Sequence, residues 1–225
     1  MKNLPVITID GPSGSGKGTI SQLLARELGW NILDSGALYR SLAYFMEINQ
    51  INLSNFQENI EKLNKDFNVE FISNNSTEPV RVILNSKDVT SKIRTEEVAK
   101  KTSDIASSQK IRNFIKPCQR AFLAPPGLIA DGRDMGTVIF PKALLKIYLT
   151  ASHDERAKRR YSQLKTEGTK VNMRSLSKDM EKRDQKDSNR KNSPLSASDE
   201  AIIIDTTDLK PENVITKIVK LINKT

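Results

Sequence analysis

Short, nearly unbroken apolar runs alternate along the chain with longer stretches of helical spacing. Val6-Ile7-Thr8-Ile9 is β-branched and almost continuous, the pattern of a strand covered on both faces in a parallel sheet. It gives way at once to Gly11-Pro12-Ser13-Gly14-Ser15-Gly16-Lys17-Gly18-Thr19, after which Ile20, Leu23, Leu24 and Leu28 recur at helical spacing until Gly29 ends the helix. Trp30-Asn31-Ile32-Leu33 predicts a second strand. Ala37, Leu38, Leu42, Ala43, Phe45, Met46 and Ile48 predict a second helix, with Ser35 at or near its N-cap. Leu128-Ile129-Ala130, Leu145–Leu149 and Ala201–Asp205 continue the strand series, and a closing helix runs from about Pro211, a proline suited to the first helical position, to Ile222. Strands alternating with helices predict an α/β fold, a three-layer sandwich around a parallel central sheet.

The pattern changes between about Asn55 and Ala99. Phe56 to Leu63 predicts a helix, and Val69–Ser73 and Val80–Leu84 predict strands separated by the polar break Asn74–Pro79. Asn85–Thr90 suggests a further turn with a short third strand. Residues 55–99 thus read as a small antiparallel module inserted into a core made of residues 1–54, 100–150 and 195–225, and as a candidate second-substrate domain. Thr95–Ala106 and Gln109–Leu123 predict two helices, the second carrying Arg112 and Arg120, ended by Pro125-Pro126-Gly127. Residues 151–194 predict a helical lid, with Arg156, Arg159 and Arg160 on its first helix, a turn at Gly168, and a second helix from Met180 to about Asn189. Arg183, Asp187 and Arg190 stand at i, i+4 and i+7 and share one face.

Composition narrows the class. The chain has 225 residues, 37% of them hydrophobic, and a mean hydropathy of −0.48, lean but globular. No apolar run approaches the ~20 residues a membrane span needs, and the start leads straight into a strand without a signal-peptide pattern, so the chain reads as cytoplasmic. A single Cys118 and a single His153 leave no internal disulfide and no zinc cluster. The formal net charge of +9 points to a polyanionic partner, and residues 151–194 contribute +6 of it. That partner is nucleic acid, a membrane surface or a small phosphate-rich ligand, and composition does not choose among the three. Only 5% aromatic residues and positive charge interleaved with acids speak against nucleic acid, and neither nucleic acid nor a membrane is expected as a partner. Nothing demands an oligomer, and a monomer is expected.

Two loops carry chemistry. The first satisfies the G-x-x-x-x-G-K core of a P-loop in its required context, between a strand and a helix. Backbone N–H groups and the positive helix end wrap phosphate oxygens there, while the Lys17 ammonium reaches the β- and γ-phosphates. Gly18 stands where a hydroxyl residue would usually face Mg²⁺, leaving Thr19 or a water as the intermediary. The second is Asp131-Gly132-Arg133-Asp134, just past a buried strand and therefore at the end where open parallel sheets gather ligands. Asp131 is a candidate Mg²⁺ ligand of the Walker-B kind, and Arg133 a candidate phosphate clamp. A self-neutralising turn is the alternative there, as simple capping is for Ser35 and a solvated helix face for Arg40.

Four segments together resemble the bacterial cytidylate kinases: Ile9-Asp10-Gly11-Pro12-Ser13-Gly14-Ser15-Gly16-Lys17-Gly18-Thr19, Leu33-Asp34-Ser35-Gly36-Ala37-Leu38-Tyr39-Arg40, Ile93-Arg94-Thr95-Glu96-Glu97-Val98, and Ala130-Asp131-Gly132-Arg133-Asp134-Met135-Gly136-Thr137-Val138. The resemblance extends from Val6 to the C-terminal helix. It implies a P-loop NTPase fold with a helical lid, and transfer of the γ-phosphoryl of ATP to CMP or dCMP with Mg²⁺, giving CDP or dCDP. It also accounts for Gly18, since Gly-Lys-Gly-Thr is the form such kinases use. By the same resemblance, residues Gly11 to Thr19 and Arg156 serve ATP. Ser35, Arg40 and Arg133 lie around the acceptor nucleotide and its phosphate, and Ser103, Arg112 and Asp134 contact cytosine. Arg183 and Asp187 contact the sugar, Arg190 faces phosphate, and Lys17, Arg133 and Arg190 are the catalytic set. Lys182, Gln185 and Ser188 depart from the family's lid pattern, where Glu, Asp and Arg are common.

The absence of an evident general base is consistent with this chemistry. A nucleoside monophosphate attacks through an oxygen that is already anionic, whereas a sugar hydroxyl would need its proton removed. A P-loop kinase for UMP or a metabolite alcohol, and a basic nucleic-acid-binding ATPase, are the alternative readings.

Overall fold

The computed structural model describes residues 4–72, 80–166, 168, 170–190 and 193–223. The elements follow in the order β1 (Val6–Asp10), α1 (Lys17–Leu28), β2 (Asn31–Asp34), α2 (Ser35–Ile48), α3 (Ile60–Asp66), β3 (Val69–Ile72), β4 (Arg81–Leu84), β5 (Lys87–Asp88), α4 (Thr90–Ile93), α5 (Glu96–Ile105), α6 (Gln109–Ala121), β6 (Leu128–Gly132), a π-helical turn (Met135–Ile139), β7 (Leu145–Thr150), α7 (His153–Thr166), α8 (Met173–Ser188), β8 (Ile202–Asp205) and α9 (Pro211–Ile222). A parallel central sheet with helices on both sides and a separate small antiparallel sheet are the architecture that the alternating pattern predicts. The chain forms two compact units, Met1–Asn31 with Leu123–Thr225, and Ile32–Phe122.

In the first unit β1 lies between β6 and β7, and β8 follows β7, with every pairing parallel. All five residues of β1 and all five of β6 are buried, as strands covered on both faces must be. The pairing Asp10↔Gly132 sets the carboxyl ends of β1 and β6 level, and Asp10↔Tyr148 leaves β7 running two residues further, to Thr150. Helix α1 packs on β1 and β6, and α9 packs on α1. Asn31, at the start of β2, is held through its side-chain amide by the carbonyls of Ala124, Pro125 and Gly127 at 2.8, 3.0 and 3.1 Å. Helices α7 and α8 pair over a small apolar seam of their own, Ala157, Leu164, Leu176 and Met180, which seals the arginine-rich hairpin.

In the second unit, β3, β4 and β5 form the antiparallel sheet, with Val69↔Leu84 and Ile83↔Asp88 in register, and α2 packs against α4, α5 and α6. The polar break expected at Asn74–Pro79 lies outside the described residues.

Local chemistry moves several boundaries. The helix expected from Phe56 starts at Ile60 because Asn52 and Asn55 turn their side chains onto nearby backbone: Asn55 Oδ1 accepts from the Asn52 N–H at 2.7 Å and Asn52 Oδ1 from the Ser54 N–H at 2.9 Å, which stabilises turns instead. The second lid helix starts at Met173, two turns before Met180, because Asn172 Oδ1 accepts from the N–H groups of Arg174 and Ser175 at 3.0 and 3.1 Å and caps it. Ser35 does not cap α2. Asp34 does, accepting from the Ala37 N–H at 2.8 Å, and Ser35 is the first helical residue.

Candidate functional site

The phosphate loop leaves β1 through three glycines with positive φ, Gly11 at 149°, Gly14 at 79° and Gly16 at 88°. At Gly11 the requirement is steric as well, since a Cβ there would lie 2.0 Å from the Leu149 carbonyl oxygen. The loop is braced from within and from below. Ser15 Oγ and Lys17 Nζ donate to the Pro12 carbonyl at 3.0 and 2.8 Å, Arg156 donates to the Ser13 carbonyl at 3.0 Å, and Thr206 Oγ donates to the Ser15 carbonyl at 3.1 Å. Gly16, at the N-terminus of α1, adds no side-chain cap, and first-turn N–H groups, which lack intrahelical acceptors, are the groups a phosphate takes up at a helix start.

Arg156 and Arg159 tie this loop to the first lid helix. Arg156 is buried and also donates to the Ala151 carbonyl at 3.2 Å and to the Asp184 carboxylate at 2.5 Å. Arg159 donates to the Thr206 carbonyl at 2.6 Å and to Thr206 Oγ at 3.0 Å. Composition marked both arginines, whereas Thr206 and Asp184 carried no motif. Thr206 stands just past the carboxyl end of β8, the one positional signal that could have found it.

Beyond β6 the Asp131–Asp134 segment is buried or half-buried. Asp131 Oδ2 lies 3.7 Å from where a side chain at Gly18 would begin, so the carboxylate faces the residue whose missing hydroxyl raised the question of the metal. A carboxylate so placed, facing Gly18 with Thr19 the residue after it, suits a hard cation that takes its other ligands from phosphates and water. Among the described residues no group of three or more His, Cys, Asp or Glu side chains forms a metal cage. Arg133 Nε donates to Asp187 Oδ2, and Arg190 donates to Asp187 Oδ1, so one buried carboxylate is gripped by two guanidinium groups. Burial opposes the charge on Arg133, but the Asp187, Asp131 and Asp184 carboxylates outweigh it and raise its pKa. Burial likewise pushes the Asp187 pKa up, and Arg133, Arg190 and Arg183 together overcome this and hold it below the usual carboxylate range. Arg183 and Asp187 lie on α8, whereas Arg190 follows its C-cap Asn189 and reaches Asp187 from beyond the helix end, so the i+7 step of the expected face is not helical.

The family match now has its structural context. The cytidylate kinase family profile matches residues 7–224. The chain belongs to the cytidylate kinase family. It is 50% identical over 213 residues to the cytidylate kinase of Azotobacter vinelandii (strain DJ / ATCC BAA-1303), covering 95% of this chain and 93% of that one. It is 49% identical over 220 residues to that of Shewanella sp. (strain MR-7), covering 98% and 95%. Among solved structures, a gluconokinase from Sinorhizobium meliloti 1021 superposes with a TM-score of 0.47 at 12% identity, covering 98% of this chain and 92% of its own. At that likeness nothing about function is carried over.

Of the remaining family positions, Ser35, Arg40, Ser103 and Arg112 lie in the second unit. Ser35 is buried and its Oγ accepts from Gln119 Nε2 at 2.8 Å, a partner on α6 that no motif announced. Arg40 donates to the carbonyls of Ile93 and Thr95 at 3.0 and 3.4 Å, joining α2 to the α4–α5 connection. Arg112 is buried and donates to the Ala106 carbonyl at 3.3 Å, and Ser103 is half-buried on α5. Asp134, buried at the start of the π turn, belongs to the first unit.

Proposed function

We propose that the protein transfers the γ-phosphoryl group of ATP to the phosphate of CMP and dCMP. The observation that carries this reading is the cluster in which Asp187 is held between Arg133 and Arg190, in the same unit as a complete phosphate loop. Two fixed cations with a carboxylate between them suit a ligand that presents a phosphate beside a hydroxyl-bearing sugar.

The chemistry asked of the protein is alignment and charge neutralisation. Lys17 and the loop N–H groups hold the donor phosphates, with Arg156 on the ATP side. Arg133 and Arg190 balance the charge that builds up as two phosphates approach, and Arg183 and Asp187 take the sugar. Asp134 in the first unit, and Ser103 and Arg112 in the second, are assigned to cytosine. Ser35 and Arg40 are assigned to the acceptor nucleotide. Asp131 and, through water, Thr19 would hold Mg²⁺, which supplies charge neutralisation at the phosphate oxygens.

A kinase for an alcohol would need a side chain free to take a proton. Asp10, raised by burial to a pKa of about 6, is not free for that role, since both of its oxygens already accept backbone N–H groups. This favours an acceptor whose oxygen is already anionic. A panel of nucleoside monophosphates and small alcohols with ATP and Mg²⁺, read by ADP release, tests the reading. CMP and dCMP should exceed AMP and GMP in kcat/KM by about 100-fold or more, as a base-reading site allows. Equal or better turnover of UMP, a purine monophosphate or an alcohol would overturn it, as would ADP release that depends on added nucleic acid.

A further inference from the structure

The loop that carries Arg133 and Asp134 has an unusual support. At one end, Gly132 is the last residue of β6 and pairs in register with Asp10 of β1. At the other end, the N–H groups of Met135 and Gly136, the first two of the π turn, donate to Asp10 Oδ1 and Oδ2, each at 2.8 Å. One residue therefore fixes both ends of the Arg133–Asp134 span, the near end through its backbone and the far end through a two-pronged, charge-assisted contact.

Asp10 is itself hard to move. Its strand is flanked on both sides by parallel neighbours, and the next residue, Gly11, sits where any side chain would collide with Leu149. The far end is fitted as closely. A Cβ at Gly136 would lie 2.8 Å from Thr8 Oγ1, 3.3 Å from Lys146 Cγ and 3.4 Å from Asp10 Oδ2, so the turn lies flush against β1 and β7 and only glycine leaves it there. Between these two anchors Arg133 projects to Asp187.

We infer that Asp10 is a positioning residue for phosphoryl transfer: it clamps the Arg133–Asp134 span and so aims Arg133 at the acceptor phosphate. This rests on the assignment of Arg133 to the acceptor. Asp10 touches neither substrate in this account, and its effect passes through Arg133.

The test is steady-state kinetics on the full chain with Asp10→Asn, each substrate varied at saturating levels of the other. Asparagine keeps the shape but turns an NH₂ towards one of the two N–H donors, so the span loses one anchor. The expected result is a rise of about tenfold or more in the acceptor KM with a comparable fall in kcat, and an ATP KM within about twofold of the parent value, the scale of loss that a small misplacement of a catalytic group produces. Gly136→Ala disturbs the same contact from the other side while keeping the carboxylate, and should show the same split. It carries the test if Asp10→Asn does not fold. In an Arg133→Ala background, Asp10→Asn should cost clearly less than in the parent, because the phosphate-facing group it aims is gone and only Asp134 on the same span is left to position.

Parallel rises in both KM values, a fall in kcat with neither KM changed, or full additivity with Arg133→Ala would each overturn the proposal and leave Asp10 a purely structural residue. The ratios are measured with whichever monophosphate the parent enzyme turns over best. A parent that prefers another acceptor therefore counts against the CMP reading, and the Asp10 ratios are read with that acceptor.

Discussion

At the scale of single residues, the site is built from groups whose partners set their charge and direction. Lys17 is buried at the head of α1, with its ammonium on the Pro12 carbonyl, so its charge is held within the phosphate loop. Lys17→Ala should fold normally, because that contact lies within the loop, and should lose about 100-fold or more in kcat, the range seen when one preorganised charge is removed from a transition state. A circular dichroism melt beside an ADP-release assay checks both halves, and near-parental turnover would remove Lys17 from the mechanism. The sequence pointed to Lys17, Arg133, Asp187 and Arg190 as separate candidates. The pairing of Asp187 with Arg190 is only three positions long and was within reach of the sequence, but that of Arg133 with Asp187 was not, because it joins residues 54 positions apart.

At the scale of elements, α8 matters most, since it carries Arg183 and Asp187 and leads directly to Arg190. Among the described residues its buried side meets α7 through Ala157, Leu164, Leu176 and Met180, with Tyr161, Val171 and Met173 packed at the margin, a modest seam for a 16-residue helix to which the N-terminal cap adds. Asn172→Ala removes the acceptor for two N–H groups and should cost about 1 kcal/mol locally. Hydrogen exchange in the first turn of α8 should then quicken several-fold while exchange in β1 and β6 stays unchanged. Equal quickening across all of these elements would show that the lid hairpin does not open by itself. The helix was legible from its periodicity but its start was not. Met173, Leu176 and Met180 do stand at i, i+3 and i+7, but among Arg174, Ser175, Ser177, Lys178 and Asp179 that stripe is thin, and the point where the helix begins was marked by the capping asparagine.

At the scale of the whole molecule, Asp10 makes stability depend on pH in an unusual direction. Burial raises its pKa from 3.8 to about 6, so between those values the native state keeps a proton that the unfolded chain has lost. The folded state therefore loses about 1.4 kcal/mol of stability per pH unit over that window as pH rises, roughly 3 kcal/mol in all, and nothing further above about pH 6. Asp187 works oppositely: its pKa is lowered, so its contribution is present above the ordinary carboxylate range and is lost on acidification. Urea unfolding of the parent and of Asp10→Asn isolates the first effect. The parent's stability relative to the variant should be about 3 kcal/mol greater near pH 3.5 than near pH 7, and a difference independent of pH would contradict it.

What the sequence determined by itself was everything that depends on neighbours along the chain. That includes the strand–glycine–helix order of the phosphate loop, the antiparallel strands of the second unit, the i, i+4 face of Arg183 and Asp187 on the lid, and the gathering of positive charge in residues 151–194. The family match to residues 7–224 agrees with those local patterns. Only the tertiary structure decided which side chains meet. Asp10 carried no visible role until strand pairing set it beside the π turn that follows Arg133, and Thr206 became a support of the phosphate loop only when β8 came to lie beside β7. The physical reason is range. Periodicity and capping act over one or two turns of chain, whereas the electrostatics of a buried site depend on contacts 54, 125 and 191 residues apart, which exist only after the sheet has formed.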